Sequence, residues 1–134
     1  MVKKNGQKSC VFSAKISDFC SAADKAIRDN LAASEDISRL DKLTQDYLHM
    51  LELGGLNYKE RAKIATKISK CRQDRRRAKD VVDTTGALVE FLKTDKGKVF
   101  LNTLKEILGQ TRKIEKTIGI RSYKYKILDL DDIA

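Results

Sequence analysis

Apolar residues recur at spacings of three and four along nearly the whole chain, the period of amphipathic helices. Phe19, Ala22, Ala23, Ala26 and Ile27 share one side of a predicted first helix over 18–33. Ser34, with Glu35 and Asp36 behind it, reads as the cap of a second helix, because a serine oxygen and early acids satisfy first-turn N–H groups. The apolar positions of that helix are Ile37, Leu40, Leu43, Tyr47, Met50 and Leu51, and Gly54-Gly55 ends it. Asn57 and Glu60 form a capping box that opens the longest helix. Along it, Ile64, Ile68, Cys71, Arg75, Ala78, Val82, Thr85, Val89 and Leu92 follow a heptad seam. Thr94 or Asp95 restarts a helix with its own seam, Phe100, Leu104, Ile107, Thr111, Ile114 and Ile118, which Gly119 stops.

The short Gly-Gly-Leu-Asn turn makes the second and third helices an antiparallel hairpin, and counting outward sets Glu35 and Asp36 level with Arg75 and Arg76. The opening segment, including Cys10-Val-Phe-Ser-Ala-Lys-Ile16, reads as an extended arm or a brief strand. The tail from Ile120 alternates like an extended segment. The predicted fold is a single mainly α domain over 1–134. It is an antiparallel helical hairpin or bundle with one long helix, an extended arm over 1–17 and a strap over 119–134.

Composition agrees with that pattern. A chain of 134 residues that is 41% hydrophobic and 35% charged suits one globular domain with a modest core. It contains no proline, the strongest helix breaker. No run approaches the roughly 20 apolar residues of a membrane helix, and the basic start, Met1 to Lys8, leads into no secretory core. An intracellular protein with no membrane contact is expected. Cys10, Cys20 and Cys71 lack the spacing of a disulfide framework or zinc site and are expected to be free thiols. Long helices in so short a chain leave apolar stripe uncovered. A homo-oligomer is therefore expected, with Val82, Val89, Phe100 and Ile107 meeting partner chains.

No phosphate loop, nucleophile elbow, zinc-protease or kinase signature is present. Cys71 has no base nearby, and Asp46, His49 and Glu52, roughly one helix face, fit a polar patch better than an acid–base or metal site. No catalytic residue, metal or cofactor is expected. Charge is the stronger signal. The formal net charge is +9, and 10 basic against 3 acidic side chains fall in residues 58–80, next to an acidic stretch over 34–57. Arg72, Arg75, Arg76 and Lys79 recur at i, i+3, i+4 and i+7 on one face, continuous with the side of Ile64 and Ile68. Such a cluster needs anionic compensation. Glu35, Asp36 and Asp80 can supply it as salt bridges, or phosphates can, since arginine offers a planar fork for them. Arg121, Tyr123, Lys124, Tyr125 and Lys126 would be the second element, with tyrosine faces for base stacking beside cations; a strap paired with the N-terminal segment is the structural alternative.

Asp46-x-Leu48-His49-x-Leu51-Glu52-Leu53, Asn57, Arg75-Arg76-x-x-Lys79-Asp80 and Arg121-x-Tyr123 together resemble a family of small helical proteins from phages and prophages of Gram-positive bacteria. The resemblance spans residues 40 to 126; in the tail, Lys126 stands where the family has arginine, and no proline follows Tyr123. It implies a phage origin and a place in the cytoplasm of a bacterial host, and no reaction. By analogy with phage proteins that sequester immune signals, the expected function is non-enzymatic capture of a phosphate-bearing nucleotide at Arg72, Arg75, Arg76, Lys79, Arg121, Tyr123, Lys124 and Lys126. The alternatives are a nucleic-acid binder of phage replication or transcription and a scaffold for a host protein.

Overall fold

The computed structural model describes residues 11–129 and 131. Within them the fold is mainly α and has three helices, α1 (Phe12–Leu53), α2 (Tyr58–Lys93) and α3 (Asp95–Gly119). α1 runs for 42 residues, about 63 Å at 1.5 Å per residue. The two helices expected over 18–53 are therefore one. Ser34 is an exposed mid-helix position, not a cap; nothing between Ala26 and Ser38 is glycine or proline, so nothing breaks the i to i−4 ladder there.

The helix also starts earlier than expected, so residues 12–17 are helical rather than part of an extended arm; Cys10 and the rest of the arm lie outside the described residues. Two interactions hold that first turn. The Glu115 carboxylate on α3 accepts from the Ser13 backbone N–H at 2.9 Å and from the Ser13 hydroxyl at 2.7 Å. An anion therefore caps α1 from another helix, where its free N–H groups favour negative charge. Ile16, Cys20 and Ala23 then repeat at helical spacing into the main core, with Leu92, Leu101 and Leu108.

α2 packs antiparallel on α1, as the Gly54–Asn57 turn requires. Asn57 caps α2, its side chain accepting from Glu60 N–H at 2.9 Å. The heptad seam is the face that meets α1: Ile64, Cys71, Ala78, Val89 and Leu92 are buried. This overturns one expectation. Val89, 3% exposed, is covered within its own chain and is not free to meet a partner.

Only Thr94 separates α2 from α3. Its hydroxyl donates to the Phe91 carbonyl at 2.6 Å and accepts from Gly97 N–H at 3.0 Å, closing one helix and capping the next. α3 then runs antiparallel to the first part of α1, since Lys105 meets Asp24, Arg112 meets Ser17 and Glu115 meets Ser13. The molecule is thus a three-helix bundle at one end and a two-helix hairpin at the other. The tail, expected to be an extended strap, is irregular and exposed over residues 121–129, with no strand among the described residues.

The core is thin. Among the described residues no large side chain is fully buried, and the chain exposes 11168 Å². A compact monomer of 15.2 kDa would expose about 7100 Å².

Gly97 holds the α2–α3 corner, because a Cβ there would lie 1.9 Å from the Phe91 carbonyl oxygen and 2.7 Å from Leu92 Cα. Gly97→Ala should cost roughly 1–3 kcal/mol in urea unfolding as backbone is pushed aside. Gly109→Ala, on an exposed face with nothing within 4 Å, should stabilise by about 0.5–1 kcal/mol. Equal effects at the two sites would contradict the corner described.

Candidate anion-binding surface

The cationic residues of α2 stand on the hairpin arm, away from the three-helix end. Arg72, Arg76 and Lys79 are exposed, and Arg75 is half-buried. The four share a flank of the helix, as the spacing requires, but that flank borders the α1 contact and does not point into it. The reason is angular: Cys71 and Ala78 face α1, and Arg72, Arg76 and Lys79 lie some 80–140° around the helix from Cys71 at 100° per residue. Arg61, also exposed, lies on this flank three turns earlier; its spacing of i−11 from Arg72 was a signal available in the sequence.

Compensation by acids is partial. Arg75 Nε lies 2.8 Å from Asp41 Oδ1. The expected partners do not serve: Asp36 pairs with Arg39 on its own helix at 3.6 Å, and the partner Arg75 does find, Asp41, lies five residues nearer the turn. The outward count already spans the four turn residues, so the two arms are offset along their axes from symmetric pairing, and the Asn30–Thr85 hydrogen bond lies in nearly the same shifted register. Lys79 approaches Asp83 at 3.9 Å. Arg61, Arg72 and Arg76 form no ion pair among the described residues.

The opposite flank is balanced. There Asp74 takes both Lys70 at 3.4 Å and Arg77 at 3.0 Å. A groove of about 320 Å³ beside it mixes Asp29, Asp36 and Asp74 with Arg77 and small apolar side chains. None of the described concavities is lined by Arg72, Arg75, Arg76 or Lys79.

The tail residues stand elsewhere. Arg121, Tyr123, Lys124 and Lys126 are exposed and follow α3, whose last turns lie beside Ser13. Arg75 is level with Asp41, so it stands about 40 Å along α1, at 1.5 Å per residue, from the last turns of α3 where the tail departs. No hydrogen bond or ion pair joins the two groups among the described residues. Within the tail, Tyr123 and Tyr125 pack edge to face at 6.0 Å. With Lys126, Ile127 and Leu128 they line a hollow of about 280 Å³.

The other candidate chemistry is dispersed. Asp46, His49 and Glu52 are all exposed. Cys20 and Cys71 are free and buried, and no group of three or more metal-type ligands gathers among the described residues. No described helix is long and apolar enough to cross a membrane. Compared with protein-family models, curated proteins and solved structures, the chain matches none of them.

The pairing pattern separates two neighbouring arginines. Arg75→Ala removes an ion pair whose partners are 31% and 49% exposed, and should cost no more than about 1 kcal/mol in chemical denaturation. Arg76→Ala should leave stability within about 0.5 kcal/mol of the parent. A larger loss at Arg76 than at Arg75 would mean that Arg76 is the compensated residue.

Proposed function

We infer that the protein is a non-catalytic binder of extended polyanions, with the phosphate backbone of a nucleic acid as its ligand. One observation carries this reading: Arg61, Arg72, Arg76 and Lys79 form an exposed cationic track along one flank of α2, largely without acidic partners among the described residues. The track runs about 27 Å from Arg61 to Lys79 at 1.5 Å per residue. Cations in that arrangement neutralise successive phosphates and gain from counterion release. A small enclosed nucleotide would need walls, and none of the described concavities takes its lining from Arg72, Arg76 or Lys79.

Capture of a compact nucleotide, with removal of an immune signal as its output, is the second reading. It draws on the tail hollow, where two tyrosine rings stand beside Lys126.

Fluorescence anisotropy with a labelled 20-nucleotide single strand, the matching duplex and a cyclic dinucleotide tests both. Either DNA should bind with strong salt dependence. Replacing Arg72, Arg76 and Lys79 together by alanine should flatten the slope of log K against log salt by about 2.7 for the duplex and about 2.1 for the single strand, the share of three phosphates. Full DNA affinity in the triple variant would overturn the reading. Salt-insensitive binding of the cyclic dinucleotide alone, lost on Tyr123→Ala, would favour the second.

A further inference from the structure

α3 carries apolar residues on more of its circumference than α1 and α2 cover. Gly97, Leu101 and Leu108 are its buried positions. Beside them runs a second stripe of Phe100, Ile107, Ile114 and Ile118, which are 43%, 39%, 61% and 52% exposed. Its outer rim is Thr103, Gln110 and Thr117, all exposed and uncharged. In a chain that is 35% charged, this sector of α3 from Val99 to Ile118 holds no charged side chain. It is about 30 Å long. At its start Phe100 meets Phe19 at 6.3 Å and Phe91 at 5.9 Å, and both those rings are also part-exposed.

We propose that this stripe pairs with the same stripe of a second copy, the two α3 helices antiparallel about a two-fold axis near Gly109. Three observations choose that occupant. The first is periodicity: Phe100, Ile107 and Ile114 repeat every seven residues, the spacing that keeps a seam facing another helix. The second is area. The stripe with Val99, Phe19 and Phe91 presents on the order of 600 Å² per chain, near the ~800 Å² per partner of a standard interface.

The third is charge. Glu106 and Lys113 border the stripe on the same side, one helical register of seven apart. An antiparallel two-fold sets each Glu106 against the partner's Lys113, twice over. A parallel pair would turn this border toward the partner's Leu104 and Leu108 side instead. The same register brings the partner's Ile118 level with Phe100. There an open, largely apolar shelf formed by Asp95, Lys96, Val99, Phe100 and Thr103 offers a surface to rest on. The pairing is independent of the anion-binding reading, since none of the Arg61–Lys79 track takes part.

Light scattering behind size exclusion at 5–100 µM, without nucleic acid, tests it. The parent should show the mass of two chains. Ile107→Asp, at a part-exposed position outside the core cluster, should weaken pairing at least tenfold while helicity by circular dichroism is unchanged. Glu106→Lys and Lys113→Glu should each weaken it, and the double swap should restore it. A single-chain mass for the parent at 100 µM would overturn the proposal. So would a parent dimer indifferent to Ile107→Asp. Failure of the double swap to restore what the single reversals lose would overturn the antiparallel arrangement.

Discussion

The whole molecule turns on how closely α3 leaves α2. Gly97 lies against the Phe91 carbonyl and Leu92 Cα, at a distance no side chain could occupy, and the Thr94 hydroxyl is shared between the two helix ends. With one residue between helices, α3 has no freedom to drift. It must return along the first part of α1, where Leu101 and Leu108 complete a core with Ile16, Cys20 and Ala23. That docking also carries Glu115 to the first turn of α1, so the same corner decides where the longest helix begins. A bundle at one end and a bare hairpin at the other follow from it.

Much of this was legible in the sequence. Periodicity located the hairpin and the apolar seam of α2, and residue types marked its turn, the Asn57 cap and a restart at Thr94 or Asp95. What periodicity could not give is tertiary. Ser34 carries every local sign of a helix start, yet a serine on the exposed side of an unbroken helix costs little, and the packing of Ala33 and Leu40 on either side continues the helix. The first turn of α1 was hidden because its cap, Glu115, lies 102 residues away in sequence. The α2 and α3 seams looked alike as heptads, but one is consumed inside the chain and the other is half left over. Sequence spacing cannot tell which.

The cationic residues show the same division between local and global information. Their spacing placed Arg72, Arg75, Arg76 and Lys79 on one flank, and they are there. Whether that flank faces a pocket depends on the angle between α1 and α2. The arms meet through Cys71 and Ala78, which leaves the cations on the rim. The tail, continuous in sequence with the end of α3, is carried to the far end of α1 because α3 runs antiparallel to it. Of two groups that look like halves of one site, one therefore departs from α3 about 40 Å along α1 from the other. The exposed track is better matched to a long anion than to a small one, and the uncovered stripe of α3 is better matched to another helix than to solvent.

The arrangement of two α3 helices can be read directly by pulsed electron paramagnetic resonance, with a single nitroxide per chain at Gln110 or at Thr117 on the rim of the stripe. An antiparallel two-fold near Gly109 brings the two Gln110 labels nearly level. It offsets the two Thr117 labels by about 24 Å along the helix axis at 1.5 Å per residue. The antiparallel pair therefore gives a short distance at position 110 and a much longer one at 117. Equal short distances at both positions, or no interchain dipolar signal at either, would contradict it.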